Sequence, residues 1–155
     1  MERILVSACL LGEPVRYNGG AARVDDPQLA RWAAEGRLVA CCPEVEGGLG
    51  TPRPRAERRA LRVVTEQGAD VTDQFARGAR LARDAARGHG IRIAILKDGS
   101  PSCGSRHVSD GTFSERRRPG AGVAAEVLRA DGVRVFSESE IADAAAFLAV
   151  LEARP

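Results

Sequence analysis

The sequence predicts an α/β protein in which helices cover both faces of a mostly parallel sheet. Three observations carry this reading. Short runs rich in Ile, Leu and Val stand at 3–8, 38–41, 91–97 and 133–136, each bounded by turn residues. Stretches with apolar residues at helical spacing separate them. The chain has 155 residues, enough for one domain with a proper core.

The elements follow in order. Arg3-Ile4-Leu5-Val6-Ser7-Ala8 reads as a buried first strand. Leu11 to Arg23 holds Gly12, Pro14, Asn18, Gly19 and Gly20, a density of turn residues that makes a loop. Asp25-Asp26-Pro27 is a helix start with Pro27 near the first helical position; the helix covers Gln28 to Glu35, and Gly36 stops it. Leu38 to Cys41 is the second strand. Pro43 to Ala60, with Gly47-Gly48, Gly50, Pro52 and Pro54, reads as a long irregular segment, a length usually kept for function. Leu61 to Thr65 reads as a short third strand at an edge. Thr72 is expected to cap the clearest helix, with Phe75, Ala79, Ala82 and Ala86 on one face, ending near Gly88-His89-Gly90. Ile91 to Lys97 is a strong fourth strand. Asp98 to Gly111 is a loop, and Phe113 to Pro119 a charged connector. Ala121 to Ala130 is a helix stopped by Asp131-Gly132, and Val133 to Phe136 is the last strand. Ser137 or Ser139 is expected to cap a final helix with Ile141, Ala145, Leu148 and Leu151 on one face. This alternation predicts a single Rossmann-like domain over residues 1–155.

Composition narrows the function classes. Hydrophobic residues make up 44% and charged residues 28%, as in globular proteins, while aromatics are only 4%, so aliphatic residues must carry the packing. A net charge of +2 gives no general reason to expect nucleic-acid binding. No apolar stretch approaches the length of a membrane span. Val6-Ser7-Ala8-Cys9 looks like a lipoprotein cleavage site, but only Met1-Glu2-Arg3 and a very short apolar run precede it, too little for a secretory signal. A cytoplasmic protein with reduced thiols is the expectation, and in that setting clustered cysteines mean metal binding or catalysis more often than disulfides.

The chain has four cysteines, and three of them follow strand-like runs in turn-forming settings: Cys9 before Leu10-Leu11-Gly12, Cys42 before Pro43-Glu44, and Cys103 in Ser100-Pro101-Ser102-Cys103-Gly104. In a parallel sheet the ends of strands one, two and four point to one edge, so residues remote in sequence can meet there. Three thiolates would hold a soft metal centre with one position open, as a catalytic site requires. The spacing matches neither a CxxC pair nor a four-cysteine ribbon, and packing or nucleophile roles stand about level with metal or cluster binding on spacing alone. Cys41 alternates to the other side of its strand and reads as core.

The segments Val6-Ser7-Ala8-Cys9-Leu10-Leu11-Gly12, Arg16-Tyr17-Asn18-Gly19-Gly20, Cys42-Pro43-Glu44-Val45-Glu46-Gly47-Gly48-Leu49, Thr51-Pro52-Arg53-Pro54 and Leu96-Lys97-Asp98-Gly99-Ser100-Pro101-Ser102-Cys103-Gly104 resemble the thiouracil desulfidase family. Asp110-Gly111-Thr112-Phe113 and Phe136-Ser137-Glu138 match as well, so the resemblance covers nearly the whole chain in order. It implies a [4Fe–4S] cluster held by Cys9, Cys42 and Cys103, and replacement of a thiocarbonyl sulfur by oxygen from water, releasing hydrogen sulfide. It implies Glu44 as the acid/base residue and Ser100 as an assisting polar group. In this picture soft thione sulfur meets the iron that lacks a protein ligand. Water attacks the polarised carbon, Glu44 takes a proton, and no net electron transfer is needed.

Ser7, Tyr17, Arg53 and Ser102 are the candidate substrate-binding residues, each with an ordinary alternative. Tyr17 can stack on a pyrimidine or pack at the core edge. Arg53 can orient a carbonyl-bearing or anionic substrate, or lie with Arg55, Arg58 and Arg59 in a solvated cationic loop. Ser7 and Ser102 can face the site or satisfy backbone. Glu46 competes with Glu44 but lacks the family's support. Lys97 can face the site or reach solvent. Arg116-Arg117-Arg118 reads as an exposed basic run, His89 as a helix-end residue, and His107 as the histidine nearer the site. The expected partner is a thiolated nucleobase, with neither nucleic acid nor membrane. The competing readings are a zinc-dependent hydrolase or deaminase using the same cysteines, or a non-catalytic iron–sulfur or RNA-binding module.

Overall fold

The computed structural model describes residues 1–154. The elements are β1 (Ile4–Ser7), α1 (Pro27–Ala34), β2 (Leu38–Cys41), α2 (Pro43–Glu46), β3 (Ala56–Arg59), β4 (Arg62–Thr65), α3 (Thr72–Gly88), β5 (Ile93–Leu96), β6 (His107–Ser109), β7 (Arg117–Pro119), α4 (Val123–Ala130), β8 (Arg134–Ser137) and α5 (Ile141–Ala153). The four expected core strands form one parallel sheet in the order β2-β1-β5-β8. The chain runs outward from β1 to β2 and then returns to the other side of β1 as β5. That reversal creates a crevice between the ends of β1 and β5, the place where open α/β sheets bind ligands.

Strand alternation divides the core. Ile4, Val6, Ile93 and Ile95 face one way and pack with Leu29 and Trp32 of α1 and Ile141 and Leu148 of α5. Leu5, Ala94 and Leu96 face the other way and pack with Ala82 and Ala86 of α3 and Ala125 and Leu128 of α4. Helices therefore cover both faces, and β1 and β5 are buried along their whole length.

Several boundaries differ from the sequence expectation, each for a local reason. α1 starts at Pro27, with Asp26 as its cap accepting from the Gln28 and Leu29 N–H groups at 2.8 and 3.2 Å. The expected third strand is not in the main sheet: β3 and β4 pair with each other as a separate antiparallel hairpin, and Leu61 is its exposed tip. The segment 43–60 is not uniformly irregular, because it contains α2 and β3. The loop and charged connector after β5 contain a second hairpin, β6–β7. Thr72 does not cap α3. Its Oγ1 instead accepts from Val63 N–H at 2.9 Å, tying the helix to β4, while Asp70 Oδ1 takes the Thr72 N–H at 2.9 Å. Neither Ser137 nor Ser139 caps α5; the cap position is Glu140, whose carboxylate accepts from Ser137 N–H at 2.9 Å.

Candidate active site

The three candidate ligands are placed by three different devices at the carboxyl edge of the sheet. Cys9 lies in the 3₁₀ turn Ala8–Leu11 that leaves β1, closed by Gly12 at φ 95°, a left-handed conformation that suits glycine. Cys42 follows β2 and holds the N-cap position of α2, where the nearby Val45 and Glu44 backbone N–H groups lower its thiol against the upward push of burial. Cys103 sits in the loop after β5. There Ser100 Oγ accepts from the Ser102 and Cys103 N–H groups, both at 3.1 Å. The start of α4 is seated on this loop, with Val123 and Ala124 N–H donating to the Pro101 and Ser102 carbonyls at 2.9 and 2.8 Å.

Two glycines set how close the helices come. A Cβ on Gly78 of α3 would lie 1.8 Å from the Pro43 carbonyl oxygen, so α2 docks on α3 backbone to backbone. A Cβ on Gly122 would lie 2.4 Å from the Ser102 carbonyl carbon, so α4 does the same to the Cys103 loop.

Glu44, from α2, reaches across to that loop. Its Oε2 accepts from Ser102 Oγ at 2.7 Å and Ser100 Oγ at 3.4 Å, and the two hydroxyls are 2.9 Å apart. Its Oε1 accepts from Arg53 Nε at 3.1 Å. Ser102 Oγ also approaches Cys103 Sγ at 3.6 Å, which links the carboxylate to the thiol through one hydroxyl. Ser7 is buried at the end of β1; its Oγ accepts from Lys97 N–H at 2.9 Å, and its side chain lowers the Cys103 thiol against the push of burial. Of the nine residues singled out from sequence, Glu44, Arg53, Ser100, Ser102 and Cys103 are joined by these contacts, and Cys42 stands two residues before Glu44.

Beside them opens a cleft of about 270 Å³, lined among others by Tyr17, Glu44, Arg53, Lys97 and Ser100. Tyr17 and Arg53 therefore belong to its wall. The arginines of 53–59 are not a solvated cationic loop, because each is engaged. Arg53 holds Glu44, and Arg55 pairs with the buried Glu57 at 3.2 Å. Arg58 bonds the Ala121 carbonyl and Glu126, each at 2.7 Å. Arg59 donates to the Gly111 carbonyl at 2.8 Å and lies over the Phe113 ring. Glu46 bonds Cys41, 3.6 Å away, and does not join Glu44. Cys41 itself is core, packed beside Leu5 and Cys103. His107, itself outside the cleft lining, lies 3.2 Å from the carboxylate of Asp98, which is part of it. Sequence reasoning missed the pairing of Lys97 with Glu138 at 2.7 Å, and it missed the cleft positions of Arg16 and Asp98. Their signal was position: Lys97 and Asp98 directly follow the strongest strand.

The electrostatics describe a donor set in need of positive charge. Burial pushes the Cys9 thiol up to about 11 and the Cys103 thiol up to about 12, and it also raises Cys42. Cys42 raises Cys9 further, and Cys9 raises Cys103, so Cys9 lies within reach of the charge of both other sulfurs. Arg16 and Lys97 offset this at Cys9, and Arg53 at Cys42. Soft donors that are buried and mutually repelling fit a cationic inorganic core, which removes both penalties. Among the described residues, no three His, Cys, Asp or Glu side chains close on one point as ligands to a single ion.

Fold and site together define an α/β protein with a carboxylate–serine cluster, and three cysteines in the segments around it, at the switch point of its sheet. A profile of the 2-thiouracil desulfurase family covers residues 4–140, and the chain belongs to that family. It is 39% identical over 150 residues to a Bacillus subtilis (strain 168) protein described as uncharacterized protein YbbK, covering 90% of this chain and 98% of that one. It is also similar to a solved structure of TudS, a [4Fe-4S]-dependent thiouracil desulfidase. That match has 49% identity and a TM-score of 0.96, over 97% of this chain and 99% of the other.

Proposed function

We propose that this protein replaces the thiocarbonyl sulfur of a thiolated pyrimidine such as 2-thiouracil with oxygen from water, using a [4Fe–4S] cluster held by Cys9, Cys42 and Cys103. The balance is one thiocarbonyl and one water in, one carbonyl and one hydrogen sulfide out, with no electron supplied or removed. The bound cluster supplies a Lewis-acidic iron without a protein ligand, matched to soft sulfur. Glu44 is the general base: Oε2 takes a proton from the attacking water and later returns it to the leaving sulfur. Ser100 and Ser102 hold that oxygen and carry the hydrogen bond between the carboxylate and the Cys103 loop. Tyr17 forms an apolar wall against the pyrimidine ring, and Ser7 fixes the Cys103 sulfur.

The observation that carries this reading is the contact of Glu44 Oε2 with Ser102 Oγ at 2.7 Å, within the loop that presents Cys103. A general base must stand within hydrogen-bond reach of the reacting groups, and a carboxylate so placed beside buried thiols has no evident packing purpose. The four cysteines are free, which suits work in a reducing cytoplasm.

Anaerobic reconstitution followed by iron, sulfide and turnover measurements with 2-thiouracil tests the reading. Cys9→Ala, Cys42→Ala and Cys103→Ala should each lose the four-iron chromophore and hydrogen sulfide release. Glu44→Gln should keep the chromophore and lose about 10²–10⁴ in rate. A parent-like rate in any of the three cysteine variants contradicts the ligand set.

A further inference from the structure

The sequence offers Arg53 as a clamp for substrate, yet the structure leaves it few donors for that task. Its side chain is only 7% exposed. Nε donates to Glu44 Oε1 at 3.1 Å, and Nη2 to the Val15 carbonyl at 3.0 Å. Nη1 donates to the Gly50 carbonyl and to Thr51 Oγ1, both at 3.1 Å. Four of the five N–H groups of a guanidinium are thereby occupied, and no edge with two parallel donors remains for bidentate recognition.

The four acceptors come from three separate pieces of chain: the loop after Cys9, the Gly50–Thr51 turn, and α2. The Arg53 backbone N–H adds a bond to the Tyr17 carbonyl at 2.8 Å, so residue 53 also ties down the cleft wall. The Val15 carbonyl bonded by Nη2 is the same oxygen that Cys42 Sγ approaches at 3.9 Å. Arg53 thus stands between the cluster-side loop and the carboxylate. A carboxylate held by Arg53 at one oxygen and by Ser102 at the other cannot turn about its terminal bond.

We propose that Arg53 is a positioning residue, whose guanidinium fixes the plane of the Glu44 carboxylate toward Ser100 and Ser102 and does not hold the substrate. The inference rests on the assignment of Glu44 as general base. Lysine cannot replace it, because one ammonium cannot reach acceptors in three directions at once.

The experiment compares Arg53→Lys, Glu44→Gln and the double variant after anaerobic reconstitution. Each is measured for iron and acid-labile sulfide per chain, kcat, KM and thermal midpoint. Arg53→Lys should load its cluster like the parent, lose about tenfold in kcat and change KM by less than about threefold. In the Glu44→Gln background the same substitution should alter kcat by less than about twofold, because its target is already gone. Two results overturn the proposal: a KM about tenfold higher with kcat kept, which makes Arg53 a substrate clamp, or losses that multiply in the double variant. If Glu44→Gln alone turns over like the parent, the assignment of Glu44 fails, and the crystal structure of Arg53→Lys decides the positioning role separately. There a Glu44 Oε2–Ser102 Oγ distance still at 2.7 Å would overturn it. Thr51→Val frees only one Nη1 anchor and is read by the same criteria if Arg53→Lys does not fold.

Discussion

At the scale of single residues, backbone conformation and burial decide more than residue type. Ala60 turns the β3–β4 hairpin at φ 54°, in the left-handed region where a Cβ crowds the following carbonyl. Ala60→Gly relieves that crowding and should stabilise the protein by about 1 kcal/mol, read as a higher urea midpoint at unchanged slope. The hairpin is separate from the main sheet, so turnover should not change. The opposite case is Glu57, which is 1% exposed. Its Oε1 accepts the Gly111 and Phe113 N–H groups at 2.9 and 3.1 Å, while its Oε2 lies 3.2 Å from Arg55 Nη2 without hydrogen-bond alignment. One carboxylate therefore anchors β3 to the segment after β6. Nothing in the local pattern Ala56-Glu57-Arg58-Arg59 distinguishes Glu57 from a surface residue.

At the scale of elements, short helices serve as mounts for chemistry. α2 has only four residues and cannot be stable alone. It persists because Pro43 starts it and α3 receives it closely at Gly78. Gly78→Ala places a methyl group 1.8 Å from the Pro43 carbonyl oxygen, so the two helices must separate. We expect a loss of about 1–3 kcal/mol in stability. Because α2 carries both Cys42 and Glu44, reconstituted iron per chain and turnover should fall together, measured by iron analysis and sulfide release. An unchanged iron content with full turnover would show that α2 is not fixed by this contact. The helix spacing Phe75, Ala79, Ala82 was legible because it repeats along the chain, and all three are buried. Gly78, one residue away on the same face, carries no signal without its partner helix.

At the scale of the whole molecule, acid should loosen the loops before the core. Burial alone would raise the Asp98 carboxyl, but the His107 and Arg106 N–H groups, the His107 ring and the Gly99 N–H outweigh it and bring it down to about 2. Hydrogen bonds from Thr72 and Arg62 likewise bring Asp70 to about 2, and Asp110 and Asp131 are lowered by Thr112 and Arg87. A carboxylate with a depressed folded value stabilises the protein above its unfolded value of 3.8 and loses that contribution as pH falls through about 2. Urea midpoints should therefore hold steady from neutral pH down to about pH 4 and decline between there and about pH 2. Asp98→Asn should flatten that decline, and an identical slope would assign it to the other carboxylates. Asp98 braces the span from Gly99 to His107, so its protonation loosens the loop that holds Ser100, Ser102 and Cys103.

The sequence by itself determined the alternation of strands and helices, the parallel sheet and the three cysteine turns at its carboxyl edge. Period, turn residues and capping groups are local, and each element announces itself within its own few residues. Tertiary structure alone decided that Ser102 and Arg53 grip Glu44 from opposite sides, and that residues 56–65 and 107–119 fold back as hairpins. It also decided that two glycines let helices meet the backbone at Pro43 and at Ser102 without side chains between them. Those outcomes depend on separations of a few ångströms between segments dozens of residues apart, and contact across such distances leaves no periodic trace in the chain.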